Sequence, residues 1–243
     1  MSATEEWAGA LTLDVNAWAT GTSVNSVRYG GATSGTHTAA LLAGGVNDTA
    51  KVAVTETWNG SSWTEVGDLN TARRAIGGIG ISTAALATCG YAGAITNINE
   101  SWNGSAWTET TDLNTSKTYR VGAGTQTAGI VAGGLPAGGN TETWNGSAWT
   151  EVNDMNTGRY AHAGGGTQTA LLVYGGEPSR AITEDWDGIS WAEVADLNTG
   201  RDPYGQGTGT STNNLCIGGW ITAATAATEE WSQGKTTKTV DTD

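Results

Sequence analysis

Along residues 157–198, apolar and polar positions trade places about every second residue, in short runs. The runs RYAHAGG, TQTALLVYGG, AITEDW and SWAEVADL read as four β-strands, labelled a to d. Alternation with that period puts successive side chains on opposite faces of a sheet. Asn-Gly or Asp-Gly separates strands c and d at Asn59-Gly60, Asn103-Gly104, Asn145-Gly146 and Asp187-Gly188. These dipeptides predict type I′ hairpin turns, with positive φ at both central residues. No stretch carries the spacing or the caps of an amphipathic helix.

The pattern is copied along the chain. ETWNGSSWTEVGDLNT, ESWNGSAWTETTDLNT, ETWNGSAWTEVNDMNT and EDWDGISWAEVADLNT end at Thr71, Thr115, Thr157 and Thr199. The Asn before each final Thr falls at 70, 114, 156 and 198, so successive copies are 44, 42 and 42 residues apart. Trp18 precedes Asn25 by seven residues, as Trp149 precedes Asn156, so the first full unit opens at Asn25. A period of about 40–50 residues is that of propeller blades. The reading is an all-β, single-domain propeller with blades 25–69, 70–113, 114–155, 156–197 and 198–243 and a leader hairpin at 1–24. The alternative is six blades, one completed by that hairpin or by a neighbouring chain. Within each c–d hairpin the two Trp are five residues apart, and alternation places them on one face. Trp18, Trp63, Trp107, Trp149, Trp191 and Trp231 are therefore expected in the structural core between blades. Exposed sugar-stacking platforms are the competing use of the repeated Trp.

Composition sharpens this. The chain has 12 Trp, no Phe and 37 Gly, with only 37% hydrophobic residues. A fully buried Trp removes about 150–250 Å² from water, worth roughly 4–6 kcal/mol before entropy, so a dozen can replace many aliphatics. The net charge of −13 argues against nucleic acid and anionic membranes. No apolar run approaches a membrane span, and the acidic start MSATEEWAGA lacks the basic region of a secretory signal. Cys89 and Cys216 lie in apolar strand-like segments and read as buried free thiols.

The repeat resembles the kelch blade of galactose-oxidase-like proteins. That blade has a basic residue opening strand a, here Arg28, Arg73, Lys117, Arg159 and Arg201. Gly-Gly closes strand b at Gly44-Gly45, Gly133-Gly134, Gly175-Gly176 and Gly218-Gly219, with Cys89-Gly90 in the second unit. An aromatic on strand c matches Trp58, Trp102, Trp144, Trp186 and Trp231, and a strand-d Trp matches Trp63, Trp107, Trp149 and Trp191. The oxidases' copper ligands have no counterpart constellation, so the resemblance implies the fold and carries over no enzymatic activity, metal or cofactor. The Thr/Asn/Gly-rich wording, WNGSAWTE, is also similar in style to kelch-like proteins of tailed bacteriophages. That similarity implies a virion location, with a cytoplasmic protein or one exported without a signal peptide as alternatives. Propellers often close with a strand from the other terminus, and the leader's LTLDVNAWATG is expected to supply strand d of the last blade.

Three repeated sets remain to be placed. Glu56, Glu100, Glu142, Glu184 and Glu229 precede the strand-c Trp by two residues, and Glu65, Glu109, Glu151 and Glu193 follow the strand-d Trp by two. Repetition in every blade marks them as structural, in salt bridges or in solvent, ahead of Ca²⁺ binding or acid–base catalysis. The basic residues Arg28, Arg73, Lys117, Arg159 and Arg201 are expected to pair with Asp68, Asp112, Asp154 and Asp196; alternatively they form a ring that binds an anion or an acidic partner. His37 and His162 fall on different strands of different units and suggest no triad. The expected function is a non-enzymatic structural or adhesion protein of a virion, such as a tail, fibre or capsid-decoration protein. Its partners would be other virion proteins or a host-surface glycan or protein, with assembly into homo-oligomers possible through the leader. The alternative is a lectin-like propeller binding glycans through Arg28, Arg73, Lys117, Arg159, Arg201, Trp58, Trp102, Trp144 and Trp186.

Overall fold

A computed structural model describes residues 21–205 and 207–234. The chain is an all-β, five-bladed propeller of antiparallel sheets. Blade 1 holds β1 (Ala32–Thr36), β2 (Ala39–Ala43), β3 (Thr55–Trp58) and β4 (Trp63–Glu65). Blade 2 holds β5 (Gly77–Ile81), β6 (Ala84–Tyr91), β7 (Ile95–Trp102) and β8 (Trp107–Glu109). Blade 3 holds β9 (Val121–Thr125), β10 (Ala128–Ala132), β11 (Thr141–Trp144) and β12 (Trp149–Val152). Blade 4 holds β13 (Ala163–Thr167), β14 (Ala170–Tyr174), β15 (Thr183–Trp186) and β16 (Trp191–Glu193). Blade 5 contributes β17 (Gly207–Gly209), β18 (Asn213–Ile217) and β19 (Thr228–Ser232). Each sheet is a meander with its strands in chain order. The leader hairpin, Trp18 and the expected closing strand lie outside the described residues.

Strand a begins later than the alternation suggests. In blade 4 it opens at Ala163 instead of Arg159. The intervening residues turn because Ala161 adopts φ 56, as Ala75, Tyr119 and Tyr204 adopt φ 53, 55 and 50 and Gly30 adopts φ 69. These five positions form a backbone relay from blade to blade. Ala75 N–H donates to the Gly30 carbonyl, Tyr119 to Ala75, Ala161 to Tyr119 and Tyr204 to Ala161.

The c–d turns are not two-residue type I′ turns. Trp58 pairs directly with Trp63, so four residues form the loop. Of the Asn-Gly pair only Gly has positive φ, 94° at Gly60. The Asn59 side-chain oxygen instead accepts the N–H groups of Ser61 and Ser62, a side-chain cap in place of a second left-handed residue.

Blades pack face to face. Ala32, Leu41, Ala43 and Leu69 of blade 1 meet Ala85, Ala87, Trp102 and Trp107 of blade 2. The two later Trp interfaces repeat this, with Leu113 and Met155 in the place of Leu69. Within blades 1–4 the two Trp rings are tilted against each other with centroids 5.2–5.5 Å apart. Trp102, Trp107, Trp144, Trp149, Trp186 and Trp191 are buried, whereas Trp58, Trp63 and Trp231 are half-buried. Blade 1 has no preceding sheet on its Trp face among the described residues, and Ala40 and Leu42 on that face are half-buried too.

Candidate functional site

The repeated charges form one strut per blade. Glu56, two residues before Trp58, shares its face and is carried into the interior. There it pairs with Arg28. Arg73 pairs with Glu100, Arg159 with Glu184 and Arg201 with Glu229. Both side chains are fully buried in the first four struts, and Glu229 is slightly exposed. A buried pair is tolerated when its remaining lone pairs and protons are also satisfied. In blade 2 the Arg73 guanidinium also donates to the carbonyls of Thr71, Ala87 and Cys89. The second oxygen of Glu100 accepts the backbone and side-chain N–H of Asn70, whose amide also reaches the Trp107 carbonyl. Burial raises the Glu56 carboxyl, but the Arg28 bond and the N–H groups of Asn25 and Ser26 outweigh it and hold the group below its usual value.

Two expectations change here. The cations pair with the strand-c glutamates, not with Asp68, Asp112, Asp154 and Asp196. Those aspartates accept backbone N–H groups of the adjoining strand c, from Thr55, Asn99, Thr141 and Thr183. In blade 3 the strut cation is Arg120, which meets Glu142 at 3.4 Å, and Lys117 donates instead to the Pro136 carbonyl. Lys117 is buried, and burial followed by the Arg120 charge lowers its affinity for a proton. Arg120 occupies the position taken by Ile76 in blade 2 and His162 in blade 4, beneath the strand-b diglycine of the preceding blade, which for Arg120 is Cys89-Gly90.

That diglycine has a geometric cause. Gly44 and Gly45 have φ 65 and 114, and a Cβ on Gly44 would lie 2.6 Å from Ile76. Cys89 takes the same φ, 58, where Arg120 approaches its sulfur at 3.8 Å. Burial raises the Cys89 and Cys216 thiols, and both are free. The His162 Nε2–H donates to the Ala132 carbonyl, 3.2 Å away, and burial followed by the Arg159 charge lowers the imidazole to about 3.

The repeated Trp are likewise engaged inside. The Trp102, Trp144 and Trp186 indoles donate to the carbonyls of Ser82, Gln126 and Gln168 in their own a–b turns. Trp107 and Trp191 donate to Thr55 and Thr141 of the preceding blade.

The sequence reading missed the end of the propeller where strands a begin and strands b finish. It gathers Tyr29, Tyr91, Tyr119, Tyr160 and Tyr204, together with Trp220. Tyr29, Tyr204 and Trp220 are 65%, 51% and 48% exposed. Tyr119 and Tyr204 meet edge to face at 6.2 Å, linking blades 3 and 5. Lys51 and Arg74 each lie 5.5 Å from the centre of the Tyr91 ring. In blades 4 and 5, a hydrogen bond with Asp202, followed by burial, raises the Glu177 carboxyl. The signal in the sequence was weak because these residues are not repeated: Tyr29, Arg74, Thr118 and Tyr160 occupy one position of successive units. No group of three or more metal-ligating side chains occurs among the described residues.

The arrangement defines a five-bladed β-propeller with internally neutralised charges and an aromatic end. No family model matches the chain, and no curated protein matches it.

Proposed function

We propose that this propeller is a non-catalytic structural or adhesion protein that contacts its partner through the aromatic end. The supporting observation is the fate of the repeated side chains. The strand-a Arg and strand-c Glu are spent in struts and the Trp pairs of blades 2–4 in blade packing, leaving the unrepeated Tyr, Trp, Lys and Arg of one end to meet a partner. Aromatic side chains with a polar tip suit such contacts, because they offer much area at little conformational cost. The repeat wording supports the finer proposal of a virion component, such as a tail, fibre or decoration protein.

A glycan-binding reading through the repeated Trp requires accessible rings, whereas Trp144 is 2% exposed. Trp144→Ala separates the two. The structural role predicts a loss of about 3–5 kcal/mol in folding stability, read by urea denaturation. Loss of glycan-array binding with unchanged stability would replace the structural reading by the lectin one. Attachment of purified protein to virions or host surfaces, lost on combined Tyr29→Ser and Trp220→Ser substitution with the fold retained, tests the aromatic end.

A further inference from the structure

We infer that the aromatic end holds a site for an acidic sugar unit, centred on Arg74. A cavity of about 370 Å³ opens there between blades 2 and 3. Its walls include the Tyr91 and Tyr119 rings, Ile95 and Leu135, with Arg74 at the edge. That volume falls within the usual range of small-ligand pockets, roughly 300–1,000 Å³.

Arg74 differs from the strut arginines. Arg28, Arg73, Arg120, Arg159 and Arg201 each pair with a glutamate, but the Arg74 guanidinium has no carboxylate partner and no side-chain hydrogen bond among the described residues. It rests on the Tyr91 ring, which orients the planar fork without consuming its donors. Lys51 adds a second cation at the same ring. A fork of this kind recognises a carboxylate through two parallel hydrogen bonds. The Tyr119 ring and the aliphatic walls of Ile95 and Leu135 suit the C–H surface of a sugar, and the tyrosine hydroxyls can meet its hydroxyls. A ring-shaped body bearing one acid group satisfies all three features. An acidic peptide would supply the anion without the ring, and the chain's net charge of −13 disfavours partners with many negative charges.

This inference rests on the adhesion reading, and its test separates the two. The full chain is titrated calorimetrically with an oligosaccharide carrying a single glucuronic acid, a neutral glucose oligosaccharide of equal length, sodium acetate and a short acidic peptide. The uronate is expected to bind at least ten-fold more tightly than each of the others. Arg74→Gln should weaken uronate binding at least ten-fold, equal to about 1.4 kcal/mol, while Arg180→Gln, in the loop between β14 and β15 and outside the cavity, leaves it unchanged. If Arg74→Gln does not fold, Lys51→Gln and Tyr119→Leu are expected to weaken binding at least three-fold. No uronate binding, equal binding of the neutral sugar, equal competition by acetate, a preference for the peptide, or full affinity in folded Arg74→Gln would each overturn the site. Continued attachment of the protein to its surface in those cases leaves the adhesion reading standing, whereas chemical turnover of the bound sugar would end the non-catalytic reading.

Discussion

The Arg159 guanidinium and the Glu184 carboxylate have each given up water to meet inside blade 4. Removing one partner strands the other. Arg159→Met should cost about 3–5 kcal/mol, and Arg159→Met combined with Glu184→Leu should recover much of that loss; chemical denaturation of both variants checks the pair. His162 sets a different dependence. Its proton affinity is lowered in the folded chain to about 3, so between that value and its unfolded value near 6.5 the unfolded chain binds the extra proton. Stability therefore falls as pH drops below about 6.5, by roughly 2 kcal/mol at pH 5. Thermal unfolding at pH 7 and pH 5 should show this loss in the wild type and a smaller one in His162→Gln. The Glu56 carboxyl, held below its usual value, would add its own loss only at lower pH.

At the scale of the element, strand a depends on a glycine just before the a–b turn. Gly35, Gly80, Gly124, Gly166 and Gly209 have φ between 101 and 150. A Cβ on Gly124 would also lie 2.3 Å from the Ala128 carbonyl oxygen. Gly124→Ala combines that clash with an unfavourable φ and should destabilise by more than about 1 kcal/mol, measurable as a lower urea midpoint. The strands and their Trp pairing were legible in the sequence, because period-two alternation and a fixed five-residue spacing leave one face for both rings. The strut partners were partly legible: a Glu two residues from a buried Trp on the same strand must itself be buried and so require a cation. The loop aspartates were nearer in sequence, which hid that inference. Nothing in the local pattern separates Lys117 from Arg120, since both can reach the space beside Glu142 and only packing beneath Cys89 decides between them.

For the whole molecule, the count of units was legible and the aromatic end was not. Repetition reports what every blade shares, while a contact surface is built from what the blades do differently. The described parts of the array are also unequal in burial. Blades 2–4 are covered on both faces, whereas Leu42, Trp58 and Trp63 of blade 1 and Leu215 and Ile217 of blade 5 are half-buried. Hydrogen exchange should accordingly be slowest in β6, β10 and β14 and faster in β2 and β18; uniform protection across the five would contradict that ranking. The strut has one more implication. Asn70, Arg73 and Glu100 all belong to the unit 70–113, as Asn156, Arg159 and Glu184 belong to 156–197. A segment copied from one such Asn to the next is an electrically complete cassette. Blade number can therefore change by duplication or loss of whole cassettes without leaving an orphaned charge in the interior, which gives a lineage a route to rings of different size built from one sentence of sequence.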